Sequence, residues 1–148
     1  MRLDRPWIER HIPHQGAMCL LDEVLEWDAT RIRCSTSSHR SPHNPLRAHG
    51  RLGAASGIEY ASQAMAVHSA LVARDASSAP LVGYLGSLRN VALHVARLDL
   101  IEGALVAAAA RVSSDSRVAL YEFSVRGGDQ LLVAGRATVI LDATAYRA

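Results

Sequence analysis

The sequence predicts an α+β fold in which an antiparallel sheet packs around one long buried helix. An apolar stretch at residues 52–73 has the length and composition of a buried helix. A series of strand-like stretches follows it, at residues 81–95, 101–112, 118–126 and 130–141. No internal repeat or low-complexity linker interrupts the chain, so we expect a single domain over residues 1–148.

The segments on either side of the helix are shorter. Residues 1–11 predict a short amphipathic helix that ends near Pro13. Residues 18–27 fit a helix or a strand equally well, because a short apolar run does not distinguish the two periods. Residues 30–37 alternate in the way a half-buried strand does. The composition of residues 75–80 predicts a turn after the long helix.

Composition and charge exclude several function classes. The formal net charge of +2 is too small to indicate nucleic-acid binding, although all sixteen basic residues are Arg. The longest apolar run, residues 104–110, is far too short to span a membrane. Cys19 and Cys34 have no metal-binding or redox spacing, and the N-terminal residues do not resemble a secretory leader. We therefore expect a cytoplasmic protein.

Glu59 is the unusual residue of the long helix, because no other side chain in residues 53–73 carries a full charge. A carboxylate in such surroundings needs a partner, a raised pKa or a function. Gln63 lies one turn later on the same face. Ser56 offers a second interpretation, since Ser-x-x-Glu is the capping box in which the Glu side chain bonds the first amide of its own helix. Both interpretations stay open at this point.

The segment at residues 39–53 is the long irregular part of the chain, and long loops in compact domains are often functional. It contains three histidines and three arginines, namely His39, His43, His49, Arg40, Arg47 and Arg51. The histidines lack the Cys or acidic neighbours of known zinc sites, so we expect no metal. The arginines form either a solvated rim or a site for phosphate, which suits guanidinium geometry.

Four motifs in sequence order resemble those of a known family. They are IPH followed by LLDEV within residues 12–24, Glu59 with Gln63 in GIEYASQA, GSLRNV at residues 86–91 and LDLIEG at residues 98–103. Through them nearly the whole chain resembles the hotdog-fold 3-hydroxyacyl-carrier-protein dehydratases (FabZ-like). It is most similar to the ApeP-type dehydratase subunits of aryl polyene biosynthesis.

This resemblance implies a hotdog fold, in which a curved antiparallel sheet wraps one central helix. It also implies removal of water from a 3-hydroxyacyl thioester. The acyl group would be carried on the phosphopantetheine of an acyl carrier protein or on CoA, with no further cofactor and no metal. A homodimer, or a heterodimer with a second hotdog subunit, would form the active site across its interface.

The resemblance also implies residue roles. Glu59 would act as the acid, kept partly protonated by its apolar helix, and His43 or His14 would act as the base. The family's Gly-His-Phe-Pro motif is replaced here by SPHNPLRAHGRLG, where His43 is the nearest counterpart by position. His14 alternatively has a structural role, as a hydrogen-bonded residue in the loop before an apolar run. Gln63 would orient a water molecule or the substrate.

Two further groups are assigned in the same way. Backbone amides of Ala54, Ala55 and Gly57 at the helix start would polarise the thioester carbonyl. Arg40, Arg47 and Arg51 would contact the acyl carrier protein. Two other functions remain possible: an acyl thioesterase, because hotdog thioesterases also place a carboxylate on the central helix, and a catalytically silent subunit that shapes the acyl tunnel of a partner.

Overall fold

The computed structural model describes residues 2–77 and 83–141. The helices are α1 (Arg5–His11) and α2 (Gly57–Asp75). The strands are β1 (Glu23–Trp27), β2 (Arg31–Thr36), β3 (Tyr84–Leu93), β4 (Leu105–Ser114), β5 (Val118–Gly127) and β6 (Gln130–Ile140). Short 3₁₀ turns lie at Gly16–Met18, Ser38–Arg40 and Ala54–Ser56.

The six strands form one antiparallel sheet in the order β1-β2-β4-β5-β6-β3, so β1 and β3 are its two edges. The sheet curves around α2, which packs against β2, β4 and β5. This confirms the predicted fold class and the hotdog architecture. No helix in the described residues is both long and apolar enough to cross a bilayer.

Small residues allow α2 to approach the sheet closely. On β4 the buried residues alternate as Leu105, Ala107 and Ala109, and on α2 the buried Ala61 and Ala64 face inward. The alanine run of β4 favours a helix by propensity alone, yet it forms a strand. Pairing with strands on both sides and the contact with α2 outweigh that weak local preference.

Most predicted boundaries lie within a few residues of the observed ones. The ambiguous residues 18–27 form the end of a 3₁₀ turn and strand β1. The predicted turn at residues 75–80 begins as α2 ends at Asp75. Residues 78–82 lie outside the described residues, so the rest of that turn and the start of the predicted strand 81–95 are not covered.

The capping-box interpretation of Glu59 is wrong. The 3₁₀ turn at Ala54–Ser56 runs directly into α2, and Ser56 has helical backbone angles with no side-chain cap hydrogen bond. Gly57 is required here for a packing reason. A Cβ atom on it would lie 2.8 Å from Val133 Cγ2, so the glycine brings the start of α2 against β6.

Two buried polar contacts hold the irregular segment against the body of the fold. Asn44 Nδ2 donates to the Tyr60 hydroxyl on α2 at 3.0 Å. Asp99, in the β3–β4 connection, accepts from the Leu52 amide at 3.0 Å and forms an ion pair with Arg97. These bonds lower the pKa of Asp99, with the Arg97 hydrogen bond as the largest cause. The segment is therefore anchored at two points, Asn44 and Leu52.

Candidate active site

His14 and Glu59 form a close pair. His14 Nε2 lies 3.0 Å from Glu59 Oε1, and their side chains are 25% and 33% exposed. The loop after α1 supplies the imidazole and the first turns of α2 supply the carboxylate. Positions 45 residues apart in sequence thus meet within one chain. His14 Nδ1 is buried with no hydrogen-bond partner in the described residues.

Gln63 lies behind this pair and has no exposed surface. Its Nε2 donates to Glu59 Oε1 at 3.1 Å and to the Met18 carbonyl at 2.8 Å. Its Oε1 accepts from the Leu20 amide at 2.9 Å. Because the protein already engages both ends of the amide, Gln63 is placed to hold the Glu59 carboxylate and the loop before β1, rather than to touch substrate.

The pKa of Glu59 is lowered from its ordinary value. The hydrogen bond from His14 is the largest cause, and the bond from Gln63 adds to it against the opposing effect of burial. The expectation of a partly protonated Glu59 is therefore wrong. Glu59 is a carboxylate at neutral pH, because its hydrogen-bond donors outweigh its apolar surroundings.

The pair opens into a groove of about 580 Å³, a volume in the usual range for small-molecule sites. One wall is the end of α1 and the loop after it, residues 10–14, and the other is residues 83–85 with Val139. The floor is one face of α2, the groove-lining stripe. Its residues are spaced three or four positions apart in sequence: Glu59, Ser62, Ala66 and Ser69. The groove thus runs along the helix from the acid–base pair.

Sequence reasoning missed the two serines and the β3 side of this groove. The helical spacing from Glu59 could have indicated Ser62 and Ser69, because residues three, seven and ten positions later share its face. No local sequence feature could have indicated Tyr84 or Leu85. They lie on strand β3 and line the groove because the fold brings that strand beside α2.

His43 is not among the described residues that line this groove. Its side chain is exposed, its backbone amide donates to Ser41 Oγ, and no hydrogen bond joins it to Glu59 in the described part of the chain. His49 is also exposed, at a φ of 54°. His39 is fully buried and its Nε2 contacts the Ile101 carbonyl. Of the candidate histidines, the one that the structure brings to Glu59 is His14.

The amides expected to polarise a carbonyl are only partly free. Ala54 donates to the Ala96 carbonyl at 3.1 Å, and Gly57 donates to carbonyls of the preceding 3₁₀ turn. Within residues 2–77 and 83–141 the Ala55 amide has no acceptor, and Ala55 is exposed. Of these three amides, the one that remains free to bind a carbonyl oxygen in the described residues is therefore that of Ala55.

The three arginines of the irregular segment differ in their surroundings. Arg47 donates to the carbonyls of Ser41, Gly50 and Arg40, and its side chain is only 20% exposed. Its guanidinium therefore braces the loop. Arg40 and Arg51 are exposed and remain available to an incoming partner. In the described residues no three His, Cys, Asp or Glu side chains are grouped as metal ligands would be.

A hydrogen-bonded imidazole and carboxylate at the mouth of an apolar groove can move protons on a bound chain. The model of ApeP-like proteins, described as ApeP dehydratase, matches residues 6–146. No sequence among curated proteins matches the chain.

Solved structures show the same fold. The dehydratase heterocomplex ApeI:P from Xenorhabdus doucetiae aligns with a TM-score of 0.80 and 22% identity, over 91% of this chain and 90% of that one. Thioesterase HI1161 from Haemophilus influenzae aligns with a TM-score of 0.58 and 13% identity, over 80% and 76%. A hypothetical thioesterase with coenzyme A from Streptococcus pneumoniae aligns with a TM-score of 0.60 and 11% identity, over 81% and 84%. Because the family model spans nearly its whole length, the chain belongs to the ApeP-like dehydratase family.

Proposed function

We propose that this chain provides the acid–base pair of a 3-hydroxyacyl-thioester dehydratase, with His14 and Glu59 as the catalytic residues. The observation that supports this most is the 3.0 Å contact between them at the mouth of a groove that can take an acyl chain. Membership in a dehydratase family gives the reaction class. The acyl group would enter on the phosphopantetheine of an acyl carrier protein, with no other cofactor.

The lowered pKa of Glu59 sets the direction of proton transfer in this proposal. The Glu59 carboxylate takes the proton from the carbon next to the thioester carbonyl. The electron pair forms the double bond as the 3-hydroxyl leaves, and His14 donates the proton that turns that oxygen into water. Glu59 then returns its proton to His14 along their hydrogen bond, which restores the pair. The exposed Ala55 amide, which donates to no acceptor in the described residues, would polarise the carbonyl.

We infer that a second hotdog chain pairs with the β3 edge, in a homodimer or a heterodimer. Every β3 residue except Ala92 is exposed, including the apolar Tyr84, Leu85 and Leu88. An unprotected apolar edge strand is a template for another strand. Since Gly83, Tyr84 and Leu85 also line the groove, a partner there would cover the acyl site. The ApeI:P neighbour is itself a heterocomplex.

Two exposed arginines support carrier-protein docking. Arg40 and Arg51 lie on the irregular segment near the start of α2, without the loop contacts that occupy Arg47. A guanidinium matches the geometry of phosphate, and an acidic carrier surface would complement both side chains. The cytoplasm remains the expected compartment, in keeping with the free, buried thiols of Cys19 and Cys34.

The test measures formation of the conjugated enoyl product, by its absorbance, from a 3-hydroxyacyl thioester. Glu59→Gln and His14→Ala should each lower kcat at least a hundredfold, the usual range for losing an acid or base. The matched control is His43→Ala, which removes the other candidate base from an exposed site and should leave kcat within about twofold of the parent. The reverse result, with His43 essential and His14 dispensable, would overturn the assignment.

The same protein is tested alone and mixed with a second hotdog chain, which separates the alternatives. The ionised Glu59 also suits activation of a water molecule, so a thioesterase is the second candidate function. Release of free thiol without enoyl product would establish it. If the mixed complex keeps full dehydratase activity with Glu59→Gln, the chain is instead a silent subunit that shapes the partner's tunnel.

A further inference from the structure

A polar cluster lies at the end of the groove farthest from the His14–Glu59 pair. It consists of His68, Ser69, Arg111 and Tyr121. Ser69 follows Glu59 by ten residues on the groove-lining stripe of α2, which is about 15 Å along the helix axis. The reaction chemistry at Glu59 makes no use of these four side chains.

The hydrogen-bond partners of Tyr121 and His68 determine which of their atoms carry the protons. Burial lowers the pKa of His68 and raises that of Tyr121, so both are neutral. His68 Nε2 donates to the Asp28 carbonyl at 2.9 Å, which leaves Nδ1 to accept the Tyr121 hydroxyl proton at 2.7 Å. The Tyr121 oxygen accepts from Arg111 Nε at 3.1 Å and Nη2 at 2.8 Å. Its one proton and two lone pairs are therefore all in use.

Ser69 is left with a free donor. Its Oγ accepts from Arg111 Nη2 at 3.3 Å, while Tyr121, 3.4 Å away, has no bonding capacity left for it. Within residues 2–77 and 83–141 the Ser69 hydroxyl proton has no acceptor. The Arg111 guanidinium likewise has no carboxylate partner in that part of the chain, and its bonds go to Tyr121 and Ser69. The groove thus ends at a hydroxyl donor polarised by a positive charge.

We propose that Ser69 is a specificity-determining residue that selects acyl chains with an oxygen acceptor, a hydroxyl or carbonyl group, at their far end. This inference rests on the proposed function, because it takes the groove as the acyl site. Between Ser62 and Ser69, Met65 and Ala66 line the groove and suit the apolar middle of a chain. A chain ending in methyl would leave the Ser69 proton without an acceptor and desolvate it at a cost.

Binding is measured first, with unreactive amide analogues of 3-hydroxyacyl-pantetheine in a graded length series. At each length one analogue ends in methyl and its match ends in a primary hydroxyl, and calorimetry gives both Kd values. At the length that reaches Ser69, the parent protein should bind the hydroxyl-ended analogue about tenfold more tightly, as one hydrogen bond near a charge provides. Ser69→Ala should abolish this preference.

Two control variants isolate the hydroxyl. Ser69→Thr keeps a hydroxyl at the same place and should keep the preference. Ser62→Ala removes a hydroxyl from the same stripe, away from Arg111, and should also keep it. The proposal is overturned if the parent protein binds both analogues equally or favours methyl at every length. It is also overturned if Ser69→Ala, with an unchanged Tm, retains the preference.

Turnover of the matching thioesters separates this inference from the proposed function. A tenfold binding preference with no enoyl product from either thioester supports the Ser69 assignment and contradicts the dehydratase. Enoyl formation at equal kcat/KM from both thioesters, with equal Kd values for both analogues, supports the dehydratase and contradicts the Ser69 assignment.

Discussion

The state of Glu59 is decided by its hydrogen-bond donors. An isolated carboxylate on this apolar helix would be penalised by burial, yet His14 and Gln63 both donate to its Oε1 atom. Because these bonds favour the charged form, the pKa of Glu59 is lowered. The ionised group therefore stabilises the fold above its unfolded pKa, and this contribution is lost as pH falls through the folded pKa.

The substitution Gln63→Leu tests this account at the residue scale. It removes one donor to Glu59, so the pKa of Glu59 should rise toward its ordinary value. The acid limb of a kcat/KM profile should then move to higher pH in the variant. The Met18 carbonyl and Leu20 amide also lose their partner, which should cost about 1–3 kcal/mol of unfolding free energy by urea titration.

Circular dichroism across the same pH range provides the control, since it shows where each protein unfolds. Ser62→Ala, a change on the same helix that removes no hydrogen bond to Glu59, should leave the acid limb in place. An acid limb that does not move in Gln63→Leu, in protein that is still folded, would mean that Gln63 does not tune Glu59.

At the scale of elements, the position of Glu59 depends on how closely α2 meets the sheet. Gly57 and Val133 make this contact at the first turn of the helix, two residues before Glu59. A Cβ at residue 57 would lie 2.8 Å from a branched, fully buried side chain that cannot swing aside. The gain in helix propensity from alanine, about 0.5–1 kcal/mol, is smaller than the usual cost of overpacking, about 1–3 kcal/mol.

Gly57→Ala should therefore destabilise the protein by about 1–2 kcal/mol despite sitting in a helix. The measurement is the free energy of unfolding in urea. Gly53→Ala is the matched control, because nothing lies within 4 Å of a Cβ there, and it should be close to neutral. In the double variant Gly57→Ala/Val133→Ala, the loss of unfolding free energy should be smaller than the sum of the losses in the two single variants. Strict additivity would contradict the contact.

At the scale of the whole molecule, the two sheet edges differ. Strand β1 has acidic side chains at Glu23 and Glu26, which discourage pairing with another strand. Strand β3 instead exposes apolar residues along its length. The acyl groove opens beside β3, so assembly and site formation are coupled in our proposal.

Leu88→Lys tests this coupling. A charged residue in the middle of an edge strand blocks strand addition, so the molar mass from light scattering should fall from a dimer to a monomer. Enoyl formation should fall with it. Leu25→Lys is the matched control, because Leu25 is an exposed leucine on the opposite edge and should leave the mass unchanged. A dimer that persists in Leu88→Lys would place the interface elsewhere.

The sequence alone determined the long helix, the four strand-like stretches after it and the unusual position of Glu59. These follow from local properties, namely hydrophobic periodicity, turn residues and one charge in an apolar stretch. The order of four motifs along the chain also predicted the family. The structure decided which histidine meets Glu59, the position of Gln63 behind the carboxylate and the loop contacts of Arg47. None of these has a local signal, because each depends on chain segments distant in sequence.

The protonation of Glu59 shows the same division. Its apolar neighbours in sequence suggested a raised pKa, whereas the donor from the loop after α1 lowers it. The free hydroxyl proton of Ser69 likewise follows only from the tertiary contacts of Arg111 with Ser69 and Tyr121. Sequence patterns report which surface of an element is buried. The partners that meet at that surface, and hence its chemistry, are chosen by tertiary packing.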